Sequence, residues 1–227
     1  MPRPPRAAAG GLVYHVLNRA NARSTIFFGD GDYSAFLAIL KAARERHPVR
    51  ILSYCLMHNH WHMVLWPHND GDLPRFMAWL TMTHAQRWHA AHHTTGQGHL
   101  YQGRYKSFPV QNDYHFHVVC RYVEGNPVRS RLVVQGRDWQ WSSLWLRTQG
   151  PPQDRALLSE WPLPCPANWD ELVNDLRPVP ESGALNASIL RSCPFGDPNY
   201  VSRSARLLGL ESALRPRGRP GKPGKGS

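Results

Sequence analysis

The chain lacks any apolar run approaching the roughly 18–20 residues of a membrane-spanning helix, so no membrane association is expected. Cysteine is scarce. Cys55, Cys120, Cys165 and Cys193 are scattered with no C-x-x-C pair, which argues against a zinc ribbon and leaves reduced, structural thiols as the simplest reading. The first residues, Met1 to Arg6, lack the apolar segment of a secretory signal, and a cytoplasmic location is expected. Acidic residues are few: 16 Asp and Glu stand against 27 Lys and Arg, a formal net charge of +11. That balance, with nine Trp and eight Tyr, favours a polyanionic partner, foremost nucleic acid. The competing explanation is a GC-rich genome, which enriches Arg, Ala, Gly and Pro regardless of function. What is present in quantity is core material: 41% of the 227 residues are hydrophobic, enough for one good core plus an appendage.

Hydrophobic periodicity orders the chain. Residues 11–19 read as a strand, 30–46 as a helix with Tyr33, Phe36, Leu37, Leu40 and Ala43 on one face, and 49–66 as two strands. A turn-rich stretch at 67–72 leads into a second helix over 73–92. Residues 100–110 form a fourth strand, and a third helix over 113–124 ends at Gly125-Asn126-Pro127. The first six elements predict an α+β fold, a ferredoxin-like antiparallel sheet with helices on one face. The segment Trp139-Gln140-Trp141-Ser142-Ser143 is expected to pack on this unit. The domain plan is a unit at 1–149, a Pro-rich linker with one short helical stretch at 150–183, a small helical extension at 184–214, and a disordered basic tail at 215–227.

The strand around His60-Trp61-His62 carries the most specific chemistry. Residues two apart on a strand point to one face. His60 and His62 therefore project together, with Trp61 and Met63 facing away, and two neutral imidazoles can chelate a divalent cation. In the third helix, Tyr122 and Asn126 are four apart and share a face if the last turn persists, although Pro127 disfavours helical geometry at Asn126. A tyrosine hydroxyl is a poor nucleophile at its ordinary pKa, about 10. It can attack phosphorus when a metal polarises the phosphate and the geometry is held in line. The Asn126 amide oxygen can complete such a hard-cation site.

These residues resemble a known family. Met57-His58-Asn59-His60-Trp61-His62-Met63-Val64-Leu65 is similar to the HUH motif of the single-tyrosine, insertion-sequence-200-like transposases. Arg121-Tyr122-Val123-Glu124-Gly125-Asn126-Pro127-Val128-Arg129 resembles their nucleophile helix. Val13 to Arg19, Gly98 to Lys106 and Trp139 to Ser143 match further segments, and the branch most resembled is that of the REP-associated tyrosine transposases. The resemblance covers roughly residues 10–146. It implies a metal-dependent DNA transposase in which Mg²⁺ or Mn²⁺ sits on His60 and His62, with Asn126 at the position of a polar third ligand. Tyr122 attacks a phosphodiester of single-stranded or hairpin-associated DNA, becomes joined to the 5′ phosphate and leaves a 3′-OH. Related transposases can exchange catalytic helices between subunits, so a homodimer is open, as is a nucleoid-associated location. One residue departs from the pattern: His58 stands where the family usually has proline. His58, His60 and His62 share one face if the strand is regular, and three imidazoles suit Zn²⁺; the other reading is two strands with a tight joint near His58-Asn59, and His58 can equally bind a DNA phosphate or be exposed.

Arg19, Arg23, Arg104 and Lys106 lie near expected strand ends and can track phosphates, or simply be solvated. Tyr101 and Tyr105 can stack on bases or pack against the second helix. Arg217 and Arg219 lie in Arg215-Pro216-Arg217-Gly218-Arg219-Pro220, whose R-G-R-P core can enter the minor groove of A·T-rich DNA or bind any polyanion. Pro194-Phe195-Gly196 with the following helix-like stretch resembles an extension that can help grip hairpin DNA. Two other classes remain: a hairpin-binding protein or repressor of the same fold whose catalysis has lapsed, and an HUH relaxase or replication initiator. The first is opposed by the presence of His60, His62, Tyr122 and Asn126. The second is opposed by the absence of helicase or primase segments. The H-N-H spelling at 58–60 lacks the separated residues of the nuclease of that name.

Overall fold

The computed structural model describes residues 9–215, so Arg217 and Arg219 and the rest of the basic tail beyond Arg215 lie outside the described residues. The chain runs β1 (Val13–Arg19), α1 (Asp30–Arg46), β2 (Val49–Met57), β3 (His60–Pro67), α2 (Asp72–Ala91) and β4 (Lys106–Val110). All strand pairs are antiparallel, in the order β2-β3-β1-β4. This is the ferredoxin-like sheet expected from the sequence. Among the described residues no helix is long and apolar enough to cross a membrane.

Strand alternation sorts the side chains into two cores. Tyr14, Val16, Tyr54, Leu56, Trp61, Met63 and Leu65 face α1 and α2 and pack with their apolar stripes, Phe36, Leu40, Phe76 and Leu80 among them. Each such side chain, fully buried, contributes roughly 1.5–3 kcal/mol. α1 is further favoured by Asp30 and Asp32 in its first turn and Arg44 and Arg46 in its last, matching the helix dipole. Val13, Met57, Val64, Phe108 and Val110 face the other way, against Phe116, Val119 and Val123 of α3 (Tyr114–Glu124). Asp113 caps α3, accepting the His115 N–H at 2.8 Å.

Two expectations need correction. The fourth strand is shorter than residues 100–110. Leu100 and Tyr101 are instead tied to the chain after β1, with Asn21 N donating to Leu100 O at 2.8 Å and Gln102 N donating to Arg19 O at 2.9 Å. The third helix ends at Glu124, as expected. Gly125 keeps near-helical geometry and a separate short helix, α4 (Asn126–Arg129), follows at once, with Pro127 in its first turn where a missing N–H costs nothing. The stretch 150–183 is no loose linker. It holds two short helices, α6 (Pro152–Arg155) and α7 (Trp169–Asn174), after α5 (Ser143–Thr148), and Trp161 and Trp169 pack into the second core.

The segment 139–161 also lies along β2. Leu56 N donates to Trp141 O (2.9 Å), Tyr54 N to Ser143 Oγ (2.9 Å) and Ser159 N to Ile51 O (2.8 Å). Trp139 Nε1 donates to Leu56 O (2.8 Å) and Trp161 Nε1 to Leu52 O (2.7 Å). The extension comprises α8 (Ser182–Arg191), α9 (Pro198–Leu208) and α10 (Glu211–Leu214). Between α8 and α9, Phe195 N donates to Pro109 O (2.9 Å) and Phe195 O accepts from Gln111 N (2.8 Å), a parallel bridge at the end of β4. All four cysteines are unpaired, and Cys55, Cys120 and Cys193 are buried.

Candidate active site

β3 places the two histidines. His60 pairs with Arg19 and His62 with Leu17 across the β1–β3 register. Both project to the α3 side, while Trp61 and Met63 enter the opposite core, as the alternation requires. Their ring centroids are 5.1 Å apart. Each ring has its Nδ1 engaged: that of His60 lies 2.6 Å from Asn59 Oδ1, and that of His62 lies 2.9 Å from His15 Nε2. The Nε2 atoms are left to bind something else. Burial, with the Arg19 charge nearby, lowers the His60 pKa to about 4. Burial and the neighbouring His15 and His60 hold His62 well below the ordinary histidine range. Both rings are therefore neutral near pH 7, the form that ligates metals.

His58 does not join them. The strand breaks at a tight hairpin in which Met57 pairs directly with His60, putting His58 and Asn59 in the loop. The His58 carbonyl accepts the Ile26 and Phe27 N–H groups (2.8 and 3.1 Å), and its Nδ1 lies 3.0 Å from the Tyr33 hydroxyl. The three imidazoles would share one face only on an unbroken strand, and the joint falls instead at His58-Asn59, one of the two readings the sequence allows. Among the described residues no three His, Cys, Asp or Glu side chains gather as a metal-holding group. The donor set at this point is two neutral imidazoles with oriented Nε2 atoms, which fits a divalent cation completed by oxygen ligands.

α3 brings Tyr122 to the histidines. Its ring lies 5.6 Å from that of His62 and 6.3 Å from that of His15, edge-on in both cases. The Arg129 guanidinium stacks over the ring at 4.5 Å from its centroid and hydrogen-bonds the Tyr122 carbonyl. Burial pushes the Tyr122 hydroxyl up, and the charges of Arg129 and Arg19 act against that rise. Asn126 lies one turn on, as its spacing implies. Its Nδ2 donates to the carbonyls of Tyr122 (3.0 Å) and Val123 (3.2 Å), bonds that do not use its Oδ1.

The basic residues named from the sequence fall at the same end of the sheet. Arg19 ends β1 and Lys106 begins β4, in neighbouring strands. Exposed Arg23 and Arg104 sit in the loops that follow Arg19 and precede Lys106, loops joined by the Ala20–Tyr101 bridge. Tyr101 and Tyr105 belong to the core, and the Tyr101 hydroxyl bonds Trp61 Nε1 (3.0 Å) and His84 Nδ1 (2.7 Å). A cavity of about 240 Å³ opens beside Tyr122, with Arg121, Arg129, Arg177, Pro178 and Val179 in its walls.

Sequence reasoning missed His15 and Arg129, and a buried carboxylate, Glu124. The Glu124 side chain accepts from Ser53 Oγ (3.0 Å), Ser143 Oγ (2.5 Å), Arg147 Nη1 (2.5 Å) and Trp169 Nε1 (2.7 Å), fastening α3 to β2, α5 and α7. Alternation in β1 puts His15 on the face of Val13 and Leu17, but only the register says that this face meets His62.

Known proteins share this architecture. The sequence model of a family described as "Transposase IS200 like" matches residues 8–126. No curated protein matches the chain by sequence. Among solved structures, a REP-associated tyrosine transposase bound to a REP hairpin is similar at 18% identity and a TM-score of 0.50, over 68% of this chain and 90% of that one. A transposase from Deinococcus radiodurans R1 is 19% identical over 54% of this chain and 96% of that one, with a TM-score of 0.40. At such identities the structural likeness is one of fold.

Proposed function

The chain belongs to the IS200-like transposase family, and from that premise we propose that it cleaves and rejoins single-stranded, hairpin-associated DNA through a phosphotyrosine at Tyr122, with Mg²⁺ or Mn²⁺ held by His60, His62 and Asn126. The observation that carries this reading is the meeting of the Tyr122 ring with His62 at 5.6 Å, beside two imidazoles whose Nδ1 atoms are both occupied.

His60 and His62 would hold the cation through Nε2, with the Asn126 Oδ1 as an oxygen ligand. When bound, a divalent cation polarises a phosphodiester oxygen and makes the phosphorus more electrophilic. Tyr122 Oη attacks that phosphorus. Its proton is lost, the P–O3′ bond breaks, the 5′ phosphate stays on tyrosine and the 3′ oxygen leaves as a hydroxyl after taking up a proton. Attack by another 3′-OH reverses the step, restores the tyrosine and joins the strands. Arg129, stacked on the ring, limits its rotation. Arg19, Arg23, Arg104 and Lys106 form the basic rim along which the strand's phosphates run, and the cavity beside Tyr122 receives the flanking nucleotide. The hairpin as substrate follows the similar transposase that binds a REP hairpin. The basic tail with Arg217 and Arg219 adds phosphate contacts outside this site.

The test uses labelled oligonucleotides from the DNA flanking the gene, incubated with the protein and Mg²⁺ and run on a denaturing gel. The wild type should give a covalent adduct. Tyr122→Phe should give none while binding the same DNA nearly as well, because only the hydroxyl is lost. An adduct formed by the variant would place the nucleophile elsewhere.

A further inference from the structure

We propose that His15 is a positioning residue for the metal site: it accepts the Nδ1–H of His62 on its own Nε2 and thereby fixes His62 with the Nε2 lone pair turned outward. The proposal rests on the reading that His60 and His62 hold a divalent cation.

The two rings are buried, and their facing nitrogens are 2.9 Å apart. With both rings neutral, one proton lies between those nitrogens, and two arrangements satisfy the bond. If His15 donates, His62 carries its own proton on Nε2 and cannot ligate a metal. If His62 donates, its Nε2 lone pair is available, and the His15 proton must sit on Nδ1. Binding a cation through His62 Nε2 therefore selects the second arrangement, and His15 is the group that makes it possible.

The other nitrogen shows what this costs. His15 Nδ1 is buried with no hydrogen-bond partner, so either tautomer leaves a polar atom unsatisfied. The surroundings call for an apolar residue, since the ring packs on Phe108 at 4.8 Å and lies between Val64 of β3 and Phe108 of β4. A phenylalanine would serve the fold at least as well. A buried polar group that the fold does not need, with its one satisfied atom on His62, points to a role exercised through His62. His60 carries the same device in another form, with Asn59 Oδ1 accepting its Nδ1–H at 2.6 Å.

The test compares full-length wild type, His15→Phe and His15→Gln. Mn²⁺ affinity is measured by calorimetry and the thermal unfolding of each metal-free protein is recorded. His15→Phe should weaken Mn²⁺ binding by about 10–100-fold with an unfolding temperature equal to or above that of wild type. His15→Gln, which keeps an acceptor, should recover part of the affinity. Wild-type affinity in His15→Phe, or an affinity loss that tracks a lower unfolding temperature without rescue by Gln, overturns the proposal. A wild type that binds no Mn²⁺ would instead remove the metal site itself, and with it this role. If neither variant folds, histidine ¹⁵N spectra of the wild type in saturating Mg²⁺ decide the matter. His62 should be protonated on Nδ1, and protonation on Nε2 overturns the assignment.

Discussion

Two residues apart on α3, Glu124 and Tyr122 belong to opposite kinds of buried polar site. At Glu124 a carboxylate of roughly four acceptor sites meets four donors, from Ser53, Ser143, Arg147 and Trp169. Both oxygens are engaged, three donors on Oε1 and one on Oε2, and the group serves as a rivet joining the helix to β2 and the later chain. Around Tyr122 the polar groups are only half used. His60 and His62 each have one nitrogen engaged, His15 has a buried nitrogen with no partner, and the tyrosine ring rests on Arg129. Residues at i and i+2 on a helix face different ways, so one short segment carries both. The completed cluster holds the incomplete one in place, and incompleteness marks where a ligand and a reaction fit.

The largest way to break this contrast is to empty the reactive side. With both His60→Ala and His62→Ala in place, adduct formation should fall on the order of a thousandfold, since metal polarisation is worth several kcal/mol and each 1.36 kcal/mol is tenfold. Single-turnover gels with Mg²⁺ measure it, and a rate within threefold of wild type would detach the histidines from catalysis. Breaking the rivet should act on stability instead. Glu124→Ala strands Arg147 and the Trp169 N–H and should cost about 3 kcal/mol, roughly 10 °C in unfolding temperature. Mn²⁺ affinity below that temperature should stay within a few-fold of wild type.

Acid acts on the buried histidines, those of the site and His84 of the opposite core. Burial lowers His60 to about 4 and His15 and His84 to about 3, and holds His62 well below 6.5. The unfolded chain takes up those protons near pH 6.5 and the folded one does not. Metal-free stability is therefore full above pH 6.5 and declines as pH falls towards 4, by on the order of 1 kcal/mol per pH unit for each group. Urea titrations at pH 7, 6 and 5 should show the decline, and a flat profile would mean that the rings are not held neutral. The smallest effect is expected where the two sides touch. Asn126→Ala removes two hydrogen bonds at the end of α3 and, on the proposed reading, one neutral oxygen ligand, so it should weaken Mn²⁺ binding less than either histidine change and cost about 1 kcal/mol.

The sheet, its helices and the shared face of His60 and His62 were legible because they depend on periods of 2 and 3.6, which a sequence displays directly. What escaped depends on register and on long-range partners. The His15–His62 contact spans 47 residues and needs the β1–β3 alignment. Glu124 gives no signal in the sequence, since its donors come from three distant segments, β2, α5 and α7. The sequence leaves His58 between two readings, a regular strand and a tight joint near His58-Asn59, because the hairpin has no glycine to decide it; its turn is held from outside, by N–H groups of Ile26 and Phe27. Gly125-Asn126-Pro127 ends α3 as the sequence implies, and the short new helix that starts there, with Pro127 in its first turn, carries no signal of its own.

The hydrogen bonds along the two outer strands also bear on how copies of this protein can meet. An outer strand normally offers a row of unpaired amides on which another chain can grow. Along β2 that row is spent on Trp139, Trp141, Ser143, Ser159 and Trp161. Along β4, Pro109 has no N–H to offer, and its carbonyl and the Gln111 N–H are taken by Phe195. The β2 margin and the Pro109 end of the β4 margin are thus closed to a neighbour's strand, and the extension doubles as a guard against strand-to-strand polymerisation at that end.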